Sequence, residues 1–196
     1  MTTQTTSQLA SGALASDSPR PAALGPVAVA LAAAATLDQF AAFARLTPAD
    51  VYSASSDRLR GGTIGKHLRH TIDHFRAAVV GAATGQRIDY DHRERETRIE
   101  TDAEAAVELI DELARTLRAY DESTLAQRVE IEVMLTGSGE IAHLETTLAR
   151  ELAFAAHHAV HHAAMLKAIA LEFGFEGPAR FGMAPSTLHY EQSRSA

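Results

Sequence analysis

The chain has 196 residues, 46% of them hydrophobic, which is enough for one domain with a substantial core. A net charge of −7 without any basic run argues against nucleic acid as the main partner. There is no cysteine, so disulfides, zinc–thiolate sites and a cysteine nucleophile are excluded, and histidine and carboxylate are the metal ligands on offer.

Residues 1–22 lack periodicity, are rich in Ser, Thr, Ala and Gln, and read as a disordered tail before a domain over 23–192. The uncharged run from Pro21 to Leu37 follows Arg20 and could pass for the apolar core of a signal peptide. It contains Gly25 and Pro26, is mostly alanine, and runs directly into Asp38-Gln39-Phe40. We therefore expect a first bundle helix from Pro26 to Arg45, proline suiting its first turn. The run is too short and alanine-rich for a convincing membrane span, and the expected location is the cytoplasm.

A polar connection follows, Thr47 to Gly62, broken by Pro48 and Gly61-Gly62. Thr63 should cap a second helix that continues to Ala83 and ends at Gly85, with Ile64, Leu68, Ile72, Phe75 and Val79 as its apolar stripe. From Asp89 to Asp102, acids alternate with arginines and no apolar face forms, which predicts an ordered loop laced with ion pairs. A third helix spans Asp102 to Tyr120, burying Ala106, Leu109, Ile110, Leu113 and Leu117. Between Leu125 and Leu144 the period changes: Val129, Ile131 and Val133 alternate with Arg128, Glu130 and Glu132, and Thr136-Gly137-Ser138-Gly139 makes a turn. That predicts a short β-hairpin between helices three and four. Helix four spans Glu145 to Phe173, and an irregular C-terminal tail carrying Phe181 folds back onto the bundle.

Seven of the ten histidines form two clusters, His67/His70/His74 on the second helix and His157/His158/His161/His162 on the fourth. Histidines at i, i+3 and i+4 project from neighbouring positions, so two facing helices can surround one divalent cation with imidazole nitrogens. On a helical wheel His158 and His162 fall inside the apolar arc of Leu144, Leu148, Phe154, Met165, Leu166, Ile169 and Phe173. A neutral imidazole there needs a partner for its bare nitrogen. His161 lies at the edge of the arc and His157 is turned away. On the second helix the wheel leans towards His67 or His74 and does not choose among the three. Glu151 shares the face of His158 two turns earlier, roughly 10 Å along the axis, too far for the same coordination shell. It is a candidate substrate contact or supporting group, or a buried acid paired with Arg93 or Arg95. Tyr90, Asp91, Ser186 and His189 are weaker candidates.

These residues resemble the DinB/YfiT-like superfamily of metal-binding four-helix bundles. The segment Thr63-Ile64-Gly65-Lys66-His67-Leu68-Arg69-His70 is similar to that family's small-polar, aliphatic, Gly opening before a ligand histidine, which the resemblance places at His70. His158-Ala159-Val160-His161-His162 is similar to its H-x-x-x-H pair and points to His158 and His162. Family members often continue with Arg-Gly-Gln, where this chain has Ala163-Ala164-Met165. The resemblance implies an all-α, up-down-down-up four-helix bundle with a metal at His70, His158 and His162. Three neutral histidines leave a coordination position for water, so a divalent ion could lower the pKa of a bound water or thiol and polarise an electrophile. Zn²⁺ is the default, with Ni²⁺, Fe²⁺ and Mn²⁺ as alternatives.

The implied function is a metal-dependent hydrolase or low-molecular-weight-thiol transferase acting on a small-molecule substrate, with Glu151 and Arg93 as candidate catalytic groups. The alternative is a non-catalytic, metal-stabilised binding or stress-response module. A homodimer through the small-residue flank Ala153, Ala164 and Ala168 is compatible with either.

Overall fold

The computed structural model describes residues 23–92 and 96–195, so the expected N-terminal tail and Arg93 lie outside the described residues. Four long helices dominate: α1 (Pro26–Leu46), α3 (Ile64–Thr84), α4 (Ala103–Arg118) and α6 (Leu148–Glu172). Three short helices join them: α2 (Ala49–Tyr52), α5 (Glu122–Leu125) and α7 (Pro185–Ser195). A small sheet is formed by β1 (Ile88–Asp89), β2 (Arg128–Met134) and β3 (Ile141–Thr147).

α1 packs on α4 and α6, and α3 packs on α6 and α4, enclosing one apolar core. By length and composition α1 is the described helix apolar enough to cross a membrane. Eight of its residues, including Ala33, Leu37, Phe40 and Phe43, are nevertheless buried in the bundle. The expected stripes of α3 and α4 face the core, with Val79 and Leu109 at the margin. Val27 and Leu31 of α1, by contrast, are exposed.

Each helix around the site begins where a side chain can accept an orphan backbone N–H. Thr63 Oγ1 accepts from Lys66 N–H at 3.0 Å, Asp102 from Glu104 and Ala105, and Thr147 from Arg150. α3 ends at Gly85, whose φ of 69° is the left-handed conformation that glycine adopts without strain. Gly65, in the first turn of α3, lies so close to a one-turn 3-10 helix (Arg98–Glu100) that an added Cβ would fall 1.9 Å from the Glu100 carbonyl oxygen. Only a glycine permits that approach. Across the same contact Arg69 pairs with Glu100 and Asp73, both at 2.7 Å, in a largely buried network.

β2 and β3 pair antiparallel over seven residues each, and β1 adds a parallel third strand that alternation had not revealed. β3 continues through Glu145 to Thr147, so α6 starts three residues later than expected. Glu145, Thr146 and Thr147 pair in register with Glu130, Val129 and Arg128, and the Arg128 guanidinium reaches the Glu145 carboxylate at 3.1 Å. Ile88, Val129 and Ile131 face the core, which turns Asp89, Glu130 and Glu132 outward.

The tail departs from the irregular form expected, since Pro185–Ser195 is helical. Before it, Phe181 stacks on Phe43 with centroids 4.3 Å apart and meets Phe40 edge-on at 5.2 Å. The tail thus returns to α1 as anticipated.

Candidate metal centre

α3 and α6 face one another, and their histidine clusters meet at that contact. His70 Nε2 lies 3.0 Å from His158 Nε2, and His162 Nε2 lies 3.0 Å from the same atom. The three residues named from the sequence therefore converge from two helices. His74 joins them: His70, His74 and His158 each bring one ring nitrogen within 4.8 Å of the others. His67 Nδ1 stands 3.3 Å from His162 Nδ1. His157 and His161 are exposed.

Hydrogen-bond chemistry fixes one tautomer. A carbonyl can only accept, so the 2.9 Å contact of His74 Nδ1 with His70 O requires an Nδ1–H, leaving Nε2 of neutral His74 with its lone pair. Burial, with neighbouring imidazoles adding to it, holds His162 down at about 3. Burial also lowers His67, helped by His161, and lowers His74 against the opposing pull of Asp73 and Asp91. These rings are neutral near pH 7, the form in which imidazole binds metal.

The donor set fits a divalent cation. Two bare imidazole nitrogens at 3.0 Å repel unless a proton or a cation lies between them. Nitrogens bound tetrahedrally to one Zn²⁺ lie about 3.3 Å apart, given Zn–N bonds of about 2.05 Å. The observed Nε2 spacing is close to that value and carries the chemistry of an all-imidazole site.

Aromatic rings wall the cluster. Tyr90 stacks on His74 with centroids 5.1 Å apart and planes 12° from parallel, while Phe154 stacks on His158 at 5.8 Å. Glu151 is fully buried below them. Its Oε2 accepts from the Tyr90 hydroxyl at 2.9 Å and its Oε1 pairs with Arg150 at 2.9 Å. Burial and the Glu151 carboxylate push the Tyr90 phenol up, so it remains a donor. The arginine expected at Glu151 was Arg93 or Arg95; both lie outside the described residues, and Arg150 is the partner found. Asp91 accepts from the Met134 amide, and Ser186 and His189 are exposed on α7.

Sequence reasoning left His74 open and ranked Tyr90 low. The signal for both was present: His74 lies one helical turn from His70, and Tyr90 is an aromatic residue set between two acids at the start of the charged stretch from Asp89 to Asp102.

This bundle with a histidine cluster between two helices defines a class. The chain belongs to the DinB superfamily, whose family model matches residues 32–166, most of α1 through most of α6. A similar curated protein is FK506-binding protein 5 of Rhizopus delemar, 33% identical over 104 residues. The match takes in 53% of this chain and 27% of that relative, so the chain spans about a quarter of the relative's length. No solved structure matches.

Proposed function

We propose that this protein is a divalent-metal-dependent enzyme, a hydrolase or low-molecular-weight-thiol transferase, using His70, His158 and His162 with His74 beside them. The observation that carries this reading is the meeting of three Nε2 atoms from two helices at successive 3.0 Å contacts. When bound there, a divalent cation (Zn²⁺ by default, Ni²⁺, Fe²⁺ or Mn²⁺ as alternatives) would lower the pKa of a water or thiol and polarise an electrophile.

The chain's own groups prepare the site. Where His162 Nδ1 donates to His67 Nδ1, Nε2 of His162 keeps its lone pair, directed at His158. Glu151 holds the Tyr90 hydroxyl, and the Tyr90 ring in turn fixes the plane of His74. Glu151 is therefore a positioning residue in this proposal rather than a proton acceptor for substrate. Arg93 stays a candidate contact for a small-molecule substrate. The proposal takes the four long helices in the up-down-down-up order of the superfamily. It keeps a cytoplasmic location and a homodimer through the flank of Ala153, Ala164 and Ala168, beside which Gly182 of the tail passes close to the Ala163–Ala164 backbone.

The test is elemental analysis of protein purified without an affinity tag, repeated on His70→Ala, His158→Ala and His162→Ala, followed by hydrolase and thiol-transferase assays. Metal lost from the variants together with activity supports the reading; activity surviving metal removal overturns it.

One observation favours a second reading. His74 lies close enough to His70 and His158 to fill the position an exchangeable ligand would need. A cation held by four imidazoles would only staple α3 to α6, as in a binding or stress-response module. Chelation would then lower the melting temperature while no substrate is turned over.

A further inference from the structure

We propose a second divalent-cation site on the outward face of the sheet, formed by Asp89, His92, Glu132 and His143. It shares no residue with the histidine centre and stands whether or not that centre is catalytic.

Strand register builds it. Asp89 pairs with Glu132 across the parallel ladder, and Glu132 pairs with His143 across the antiparallel one. Directly paired residues project from the same side of a sheet. The neighbouring Ile88 and Ile131 are buried, so the row Asp89, Glu132, His143 lies on the solvent side. His92 follows three residues after Asp89, and its Nδ1 lies 2.7 Å from Asp89 Oδ2. Asp89, His92 and Glu132 each hold a ligand atom within 4.8 Å of the others. His143 closes the row with Nε2 at 3.1 Å from Glu132 Oε2.

The loop that carries His92 is held in place independently. Asp89 Oδ1 accepts the backbone N–H groups of Asp91 at 2.8 Å and His92 at 3.0 Å. The Asp91 carboxylate accepts the Met134 amide at 2.7 Å, tying the loop to the end of β2. Arg87, which could have neutralised the row, pairs with Glu130 at 3.0 Å. Two carboxylates brought together beside two imidazoles form an N₂O₂ donor set suited to a borderline cation such as Zn²⁺. Asp89 and His92 also line a cleft of about 490 Å³ between α3 and the loop, through which an ion from solvent can reach them.

The probe is Zn²⁺ itself, titrated calorimetrically into the full untagged chain near neutral pH after chelator treatment. The wild type is expected to bind one equivalent more than His92→Ala/Glu132→Gln, with the circular dichroism of the two proteins superimposing. His70→Ala/His158→Ala is expected to retain the equivalent that His92→Ala/Glu132→Gln loses, which separates the two sites. Unchanged stoichiometry and affinity in His92→Ala/Glu132→Gln overturns the proposal. So does complete loss of binding in His70→Ala/His158→Ala while its fold is kept. Should the double variant at the sheet not fold, the surface variants His92→Ala and His143→Ala decide. Each is expected to weaken the second equivalent about tenfold or more, and unaltered binding in both overturns the site.

Discussion

His70 and His158 meet through their Nε2 atoms at 3.0 Å although 88 residues separate them along the chain. The packing of α3 on α6 creates that meeting. Neither residue should therefore be replaceable if a cation sits between the helices. His70→Ala and His158→Ala should each lose the bound metal found in the wild type by elemental analysis. Chelation should lower the wild-type melting temperature and leave that of the variants unmoved. A ligand present at about a thousandfold over its dissociation constant adds about 4 kcal/mol to the folded state.

His74 decides between an open and a closed coordination sphere. His74→Phe keeps a ring against Tyr90 and removes the nitrogen. If the three-histidine set is sufficient, the variant should retain metal with affinity reduced about 10- to 100-fold, as for loss of a supporting group. Complete loss of metal, measured by competition with a chromophoric chelator, would make His74 a ligand.

Stability of the metal-free protein should fall as pH drops below about 6.5. His67, His74 and His162 have lowered folded-state pKa values, so the unfolded chain takes up protons first. The stability is thus fully present above the unfolded value and is lost on acidification towards the folded values, about 3 for His162. Each proton bound only by the unfolded chain costs about 1.4 kcal/mol per pH unit. Melting temperatures between pH 8 and 5 would show the slope, and a flat profile would contradict the buried neutral imidazoles.

Two substitutions at the contact of α3 with the 3-10 turn should be costly without touching the metal. Arg69→Ala takes the guanidinium from the buried Glu100 and the half-buried Asp73, a loss of about 3–5 kcal/mol. Gly65→Ala drives a methyl into the Glu100 carbonyl and should cost about 1–3 kcal/mol. Urea denaturation would measure both.

Tyr90→Phe removes the hydroxyl that Glu151 accepts while keeping the stacked ring. About 1–3 kcal/mol should be lost from the partly unsatisfied carboxylate, with metal content retained. Parallel loss of metal would instead make the hydroxyl part of the centre.

Much of this was legible before any coordinates. The second helix was marked by Thr63 and Gly85 at its ends, the first by Pro26 in its first turn, the third and fourth by their apolar residues, and the paired strands by the alternation around Ile131. His158 and His162 stood out because an imidazole in an apolar arc needs a partner. What escaped has separate physical causes. A two-residue strand has no period, and β1 exists only because Ile88 finds Ile131 on β2. Arg150 was passed over for Glu151 because adjacent helical residues point apart. At the first turn of α6 its long side chain can bend back, with its guanidinium 5.6 Å from the Phe154 ring centre. The three positions 67, 70 and 74 could not be ranked because α6 faces all of them, contacting His67 through His162 and His70 and His74 through His158.

Phe181 lies beyond residue 166, where the superfamily match stops, yet it plugs α1 against Phe40 and Phe43. A shortened version trimmed to the matched region would uncork two phenylalanines and invite self-association. Protein prepared for crystallisation or assay should therefore carry the polypeptide through at least that plug.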